Sequence, residues 1–99
     1  MAGLTSKQRA FLKSMAHGLK PVVHIGKEGV SDEALRAIEE VLRTRELIKL
    51  KVLDTAPAQA REVADEVEAG VPHASVVQVI GRTIVLYRPD PEEPQIRLP

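Results

Sequence analysis

The segment SVVQVIGRTIVLYR, residues 75–88, constrains the fold more than any other part of the chain. Two runs of β-branched and apolar residues flank Gly81-Arg82. A two-residue loop with glycine first is the signature of a hairpin closed by a type II′ turn. Such a turn fixes which residues pair and which face each side chain takes. Strict alternation then places Ser75, Val77, Val79, Ile84, Leu86 and Arg88 on one face. It places Val76, Gln78, Ile80, Thr83, Val85 and Tyr87 on the other. The remaining elements must be fitted around this pair.

Residues 47–53, LIKLKVL, read as another strand, with Ile48, Leu50 and Val52 pointing one way and Lys49 and Lys51 the other. A short strand is expected from Pro21 through Ile25. Three helices separate the strands. The first spans residues 5–17, started by Thr5 or Ser6 and stopped by Gly18, with Leu4, Phe11, Leu12 and Met15 as its apolar face. The second follows the N-cap Ser31 and carries Asp32 and Glu33 in its first turn, where the helix dipole favours negative charge. It runs to about residue 45 with Ala34, Leu35, Ile38, Val41 and Leu42 inward, and Val30 and Leu35 stand at the positions of a hydrophobic staple. The third covers roughly residues 56–69 with Ala60, Val63, Ala64 and Val67 inward and Gly70 as its stop.

The order is α-β-α-β-α-β-β. Two strands joined by a helix should be parallel with a right-handed crossover, and the hairpin strands are antiparallel. The economical architecture is an α/β two-layer domain on a four-stranded mixed sheet. Residues 1–99 are expected to form one domain. Its last segment, residues 89–99, has four prolines and reads as an extended, acidic tail.

Cysteine is absent, so disulfides and thiolate sites are excluded. No apolar run approaches the length of a membrane span, and the N-terminus lacks the apolar core of a signal peptide. A cytoplasmic protein with no membrane partner is the expectation. His17, His24 and His73 match no metal-ligand spacing, and His24, beside Val23 in a strand, reads as a half-buried structural residue. Neither Gly-x-Ser-x-Gly nor a Ser-His-Asp assignment is present. The carboxylates gather on the second and third helices, where solvated faces explain them. No catalytic residue, metal, cofactor or small-molecule substrate is expected, and the chain does not read as an enzyme.

The formal net charge is zero, but its distribution is uneven. Residues 1–30 hold five cations against the single carboxylate Glu28, a net of +4. Residues 56–70 hold Arg61 against four carboxylates, a net of −3. A basic end of this kind points to an anionic partner.

Between strand and helix, VVHIGKEGVSDEAL brackets Lys27-Glu28 with Gly26 and Gly29. The spacing is neither a Walker loop nor a dinucleotide fingerprint. One reading is a turn that needs positive φ twice. The other adds a function. The loop ends at a helix N-terminus, where free N–H groups attract anions, and its glycines let a sugar-phosphate chain come close, as in the KH module. The first helix supplies a second signal. Arg9, Lys13 and His17 recur every four residues, on the side away from Phe11 and Met15, and Lys20 and Lys27 carry the basic segment toward the loop. The only aromatics are Phe11, expected in the core, and Tyr87, expected to pack against a neighbour. A base-stacking platform is therefore not expected, and RNA would be held through its backbone and shape.

Three stretches, LTSKQRAFLKSMAHGLKPVVHIGKEGV, ELIKLKV and VVQVIGRTIVLYRP, together resemble the bacterial YhbY family. The single domain of that family is the CRM (chloroplast RNA splicing and ribosome maturation) domain, also found in plant organelle splicing factors. The resemblance covers nearly the whole chain. It implies an RNA-binding fold similar to the C-terminal domain of translation initiation factor three, no catalytic activity, and association with precursors of the large ribosomal subunit. The basic first helix and the glycine loop are the contacts it implies. The residues expected to meet RNA are Lys7, Arg9, Lys13, His17 and Lys20, then Gly26, Lys27, Glu28 and Gly29, then Lys49, Lys51 and Arg88. Two features depart from a simple phosphate-binding surface: Glu28 inside the loop, and Asp90, Glu92 and Glu93 in the tail. The expected function is that of a monomeric factor that binds structured ribosomal RNA of the large-subunit precursor and assists its assembly. The alternative is a protein-interaction module whose acidic third helix and tail dock a basic ribosomal protein.

Overall fold

The computed structural model describes residues 3–99. The elements follow the expected order: α1 (Ser6–Ala16), β1 (Pro21–Ile25), α2 (Asp32–Leu42), β2 (Leu47–Val52), α3 (Ala60–Gly70), β3 (Ser75–Ile80) and β4 (Thr83–Tyr87). Local chemistry sets the helix starts. Thr5 Oγ1 accepts the Gln8 N–H at 3.1 Å and Gln8 Oε1 accepts the Thr5 N–H at 3.1 Å, a reciprocal capping box. Ser31 Oγ accepts the Ala34 N–H at 3.1 Å at the head of α2. α3 starts later than the apolar spacing suggests. Ala56 precedes Pro57, and a residue before proline avoids the helical region. The N-cap is Gln59, whose N–H donates to Glu62 Oε1 at 3.3 Å. Gly70 is the last residue of α3 and takes no positive φ; its missing Cβ makes room for α2, since a Cβ there would meet Leu35 Cδ2 at 3.0 Å.

The sheet order is β1-β2-β4-β3. β1 and β2 are parallel, and β4 lies antiparallel between β2 and β3. Gly81 takes φ +56° at the hairpin turn, as a type II′ turn requires of its first residue. The strict alternation expected of the hairpin is broken by a bulge. Val76 pairs with Leu86 and Gln78 with Val85, so Val77 is an extra residue. Val76 and Val79 therefore join Ile84 and Leu86 on one face, while Val77, Gln78 and Ile80 join Thr83, Val85 and Tyr87 on the other.

α2 and α3 pack on the first face, with Ile38, Leu42, Val63 and Val67 against Val23, Ile25, Ile48, Leu50, Val52, Ile84 and Leu86. α1 lies on the opposite face, where Leu12 and Ala16 seat against Leu47, Val77, Val85 and Tyr87. The four-stranded mixed sheet is as expected, but where α1 lies the two layers become three. Without that helix an apolar row on the second face would meet water.

α1 also sits rotated from its expected orientation. Leu12 and Ala16 are buried, whereas Phe11 and Met15 are 37% and 44% exposed. The cause is Arg9, whose Nη1 donates to the carbonyls of Val76 and Val77 at 2.7 and 2.9 Å. A bulge disrupts its ladder, and these are the carbonyls of the bulged Val77 and the residue before it. Satisfying them turns the Arg9-Leu12-Ala16 side of the helix toward the sheet. The tail, in turn, folds back: Ile96 and Leu98 pack against the α1 cluster.

Candidate nucleic-acid interface

α1 covers only part of its face of the sheet. The uncovered part carries half-buried Lys49 and Lys51 from β2, exposed His24 from β1, and Gln78, Ile80 and Thr83 from the hairpin. The register sets these side by side. Lys51 pairs with His24 on one side and Thr83 on the other, and Lys49 pairs with Pro21 and Val85. Lys49 and Lys51 thus lie opposite Ile48, Leu50 and Val52, on the face shared with Gln78, Thr83 and Tyr87, as the alternation of β2 predicts.

A groove of about 190 Å³ runs between α1 and this open sheet, lined by Lys13, Ala16, His17, Lys49, Gln78, Ile80, Thr83 and Val85. Two lysines and a histidine meet there, and no carboxylate is among the lining residues. Among the described residues Lys13, Lys49 and Lys51 make no ion pair. Unpaired ammonium groups against a low-dielectric wall concentrate positive potential in a cleft.

The other expected contact residues divide. Lys7 is exposed on α1 and Lys20 in the link to β1. Arg9 is committed to the β3 carbonyls, so the i, i+4 stripe is not one surface. Arg88 is committed on the α2 side, where its Nη1 donates to Glu39 Oε1 at 2.6 Å in a half-buried ion pair.

The G-x-x-G loop is a tight turn. The Gly29 N–H donates to Gly26 O at 2.9 Å, and the Ser31 N–H donates to Gly29 O at 3.0 Å. Only Gly29 needs positive φ, at +65°, where the sequence reading allowed for two such positions. A Cβ on Gly29 would also press Pro57 Cγ at 3.2 Å, while one on Gly26 would meet Leu53 Cδ1 at an ordinary 3.5 Å. The turn thus rests on the β2–α3 loop and holds Lys27 and Glu28 out in solvent, just beyond the β1 end that carries His24. Two of the N–H groups read as free for an anion are already satisfied inside the turn.

One residue outside the expected set belongs to this surface. His24, read as half-buried, is exposed, because β1 is an edge strand that α1 does not cover. Arg82, exposed in the hairpin turn, lies with Val79 and the start of α3 instead. The signal for His24 was its alternation with Val23 and Ile25, which matches that of Lys51 with Leu50 and Val52. A larger groove of about 670 Å³, bounded by the β2–α3 loop, the start of α3 and the hairpin turn, mixes Arg61 and Arg82 with Asp54 and Glu62. Its mixed charge gives it no preference for one sign of ligand.

Fold and surface define a class: a small α/β domain that leaves part of one sheet face open, places lysines on it and walls it with a basic helix. The chain belongs to the CRS1 / YhbY (CRM) domain family, whose profile matches residues 4–88. It is 45% identical over 96 residues to the probable RNA-binding protein YqeI of Bacillus subtilis (strain 168), covering 97% of this chain and 99% of that one. It is 41% identical over 99 residues to a protein of Haemophilus influenzae named RNA-binding protein, covering 100% of this chain and 98% of the other. Among solved structures it is similar to the hypothetical protein SAV1595 from Staphylococcus aureus, a candidate RNA-binding protein, with a TM-score of 0.78 and 37% identity, covering 98% of this chain and 100% of that one.

Proposed function

We propose that this protein binds structured RNA across the open part of the α1 face. The observation that carries the reading is the groove in which Lys13 and His17 of α1 meet Lys49 of β2 with no carboxylate among its lining residues. Lys51 and His24 extend the surface along the sheet, and Lys27 extends it past the end of β1. Lysines spaced along two elements suit a track of phosphates. Tyr87 is buried and Phe11 lies off this groove, so no aromatic platform is offered to splayed bases. An A-form backbone is the fitting ligand. Relatives named as RNA-binding proteins support the reading. The family resemblance extends it to ribosomal RNA of the large-subunit precursor, with the protein acting as a cytoplasmic monomer in subunit assembly. The rival, docking through the acidic third helix and tail, is less favoured. Glu68 Oε2 accepts the chain's own Val76 N–H at 2.7 Å, and Asp90 Oδ1 accepts the N–H groups of Glu92 and Glu93 at 2.9 Å.

The test is a salt titration of binding to a ribosomal RNA hairpin, over roughly 50 to 200 mM salt. Log affinity should fall steeply with log salt. The triple variant Lys13→Ala, Lys49→Ala, Lys51→Ala should lower the slope by about one unit per lysine at an unchanged melting temperature. A triple variant that keeps the wild-type slope and affinity removes this face from the reading.

A further inference from the structure

Glu46 is a buried carboxylate to which the RNA reading gives no part. It immediately precedes β2. Its Oε2 accepts the Asp90 N–H at 2.6 Å, and its Oε1 accepts the N–H groups of Gln95 and Ile96 at 2.9 and 2.7 Å. Its carbonyl accepts the Arg88 N–H at 2.8 Å. One residue therefore grips the C-terminal segment at both ends of the excursion between Asp90 and Ile96. Beyond that grip, Ile96 and Leu98 pack against the cluster that seats α1, and Pro99 O accepts from Gln8 Nε2 of α1 at 3.4 Å.

These contacts converge on the helix that needs them most. α1 has eleven residues and buries only Leu12 and Ala16. A helix this short is not stable alone, so its docking depends on what packs beside it. We propose that residues 89–99 form a strap, clipped by Glu46, that keeps α1 seated and so holds Lys13 and His17 at the groove. The proposal rests on the RNA reading. Glu46 and the strap are positioning elements: they touch no RNA, and affinity depends on them through the fraction of molecules with α1 docked. The strap lies beyond the segment, residues 4–88, that the family profile matches.

Two full-chain variants test it. Glu46→Gln leaves one acceptor oxygen for three N–H groups. Ile96→Ser with Leu98→Ser loosens the packing without changing charge. Hydrogen exchange without RNA is followed at the amides of residues 12–16 in α1 and 63–67 in α3, and affinity for the RNA hairpin is measured at fixed salt. The α1 amides should exchange faster in both variants while those of α3 stay protected. RNA should bind about tenfold weaker if α1 is docked in about a tenth of the molecules. The salt slope should be kept, because no phosphate contact is removed. Unchanged exchange in α1, equal acceleration in α1 and α3, or RNA binding that is unchanged or tighter would each overturn the strap. If the wild type does not bind the hairpin, the RNA reading falls, and the exchange data alone decide whether the tail holds α1.

Discussion

Among the described residues, the sheet contributes to a cluster of fifteen buried residues against α2 and α3; against α1 and the tail the corresponding cluster has six. The same strand serves both. Ile48, Leu50 and Val52 of β2 look into the larger cluster, and Lys49 and Lys51 look out beside the smaller one. A row of side chains cannot be both a dry core and a charged surface, because a buried, unpaired ammonium is costly. The two functions are therefore divided by the period of two along a strand. Stability is concentrated where α2 and α3 close the face. The α1 face retains only enough apolar contact to hold a helix, and gives the rest to charge.

The largest effect should come from the closed face. Leu50 is fully buried, and Leu50→Ala should cost about 3 kcal/mol by urea denaturation. The folded fraction should keep the wild-type salt slope for RNA. Lys51→Ala, one residue along, should do the reverse, lowering the slope with little loss of stability. If the two variants give the same profile, the faces are not divided in this way.

A smaller effect separates two residues that the sequence presents as a pair. Arg9 and Lys13 stand four apart on α1, yet Arg9 makes two hydrogen bonds to β3 carbonyls and Lys13 lines the groove. Arg9→Ala should cost about 2 kcal/mol, since it leaves carbonyls at the bulge without their charged donor, and should leave the salt slope alone. Lys13→Ala should lower the slope at constant stability. Equal salt effects from both would return Arg9 to the RNA surface.

What was legible in the sequence follows the same division. The α2 and α3 faces, the hairpin turn, the Ser31 cap and the outward pair Lys49 and Lys51 all come from local periodicity and turn chemistry, and the structure agrees with each. The α1 face was misread in two places, each decided by a pairing that local spacing does not show. The Val77 bulge shifts the hairpin faces, and no local residue marks it. Arg9 then reaches across 67 residues to Val76 and rotates α1, which leaves Phe11 and Met15 outside. The tail reads as extended, and the three backbone N–H groups it gives to Glu46 are contacts that its own composition does not signal. Amphipathic spacing identified the helix but could not choose between its Phe11 and Leu12 sides, because both are apolar.

The glycine loop belongs to both regions and allows a finer test. Gly29→Ala should cost about 1 kcal/mol, because φ of +65° disfavours any side chain and Pro57 is already close. Gly26→Ala should be neutral or slightly stabilising, since its Cβ meets only ordinary contacts. If Gly26→Ala nevertheless weakens RNA binding, Gly26 serves close approach of the backbone to phosphate. If it does not, the loop contributes through Lys27 alone.

The smallest effect concerns Tyr87, which ties the α1 face to the strap. Its hydroxyl is held above the ordinary value near 10, chiefly by burial and then by the negative charge of Glu46. A raised folded value means that the unfolded chain releases this proton first. The contribution to stability is therefore complete below about pH 10 and is lost as pH rises through the folded value. Urea midpoints should fall as the solution is taken above pH 10, and Tyr87→Phe should fall less over the same range. The chain has one tyrosine, so tyrosinate absorbance reports this group alone. Glu46→Gln should shift that titration downward, toward the ordinary value, by removing the charge and loosening the strap over the ring. A titration that Glu46→Gln leaves in place would mean that burial by α1 alone sets the environment of Tyr87, and that the strap contributes nothing to closing this side of the sheet.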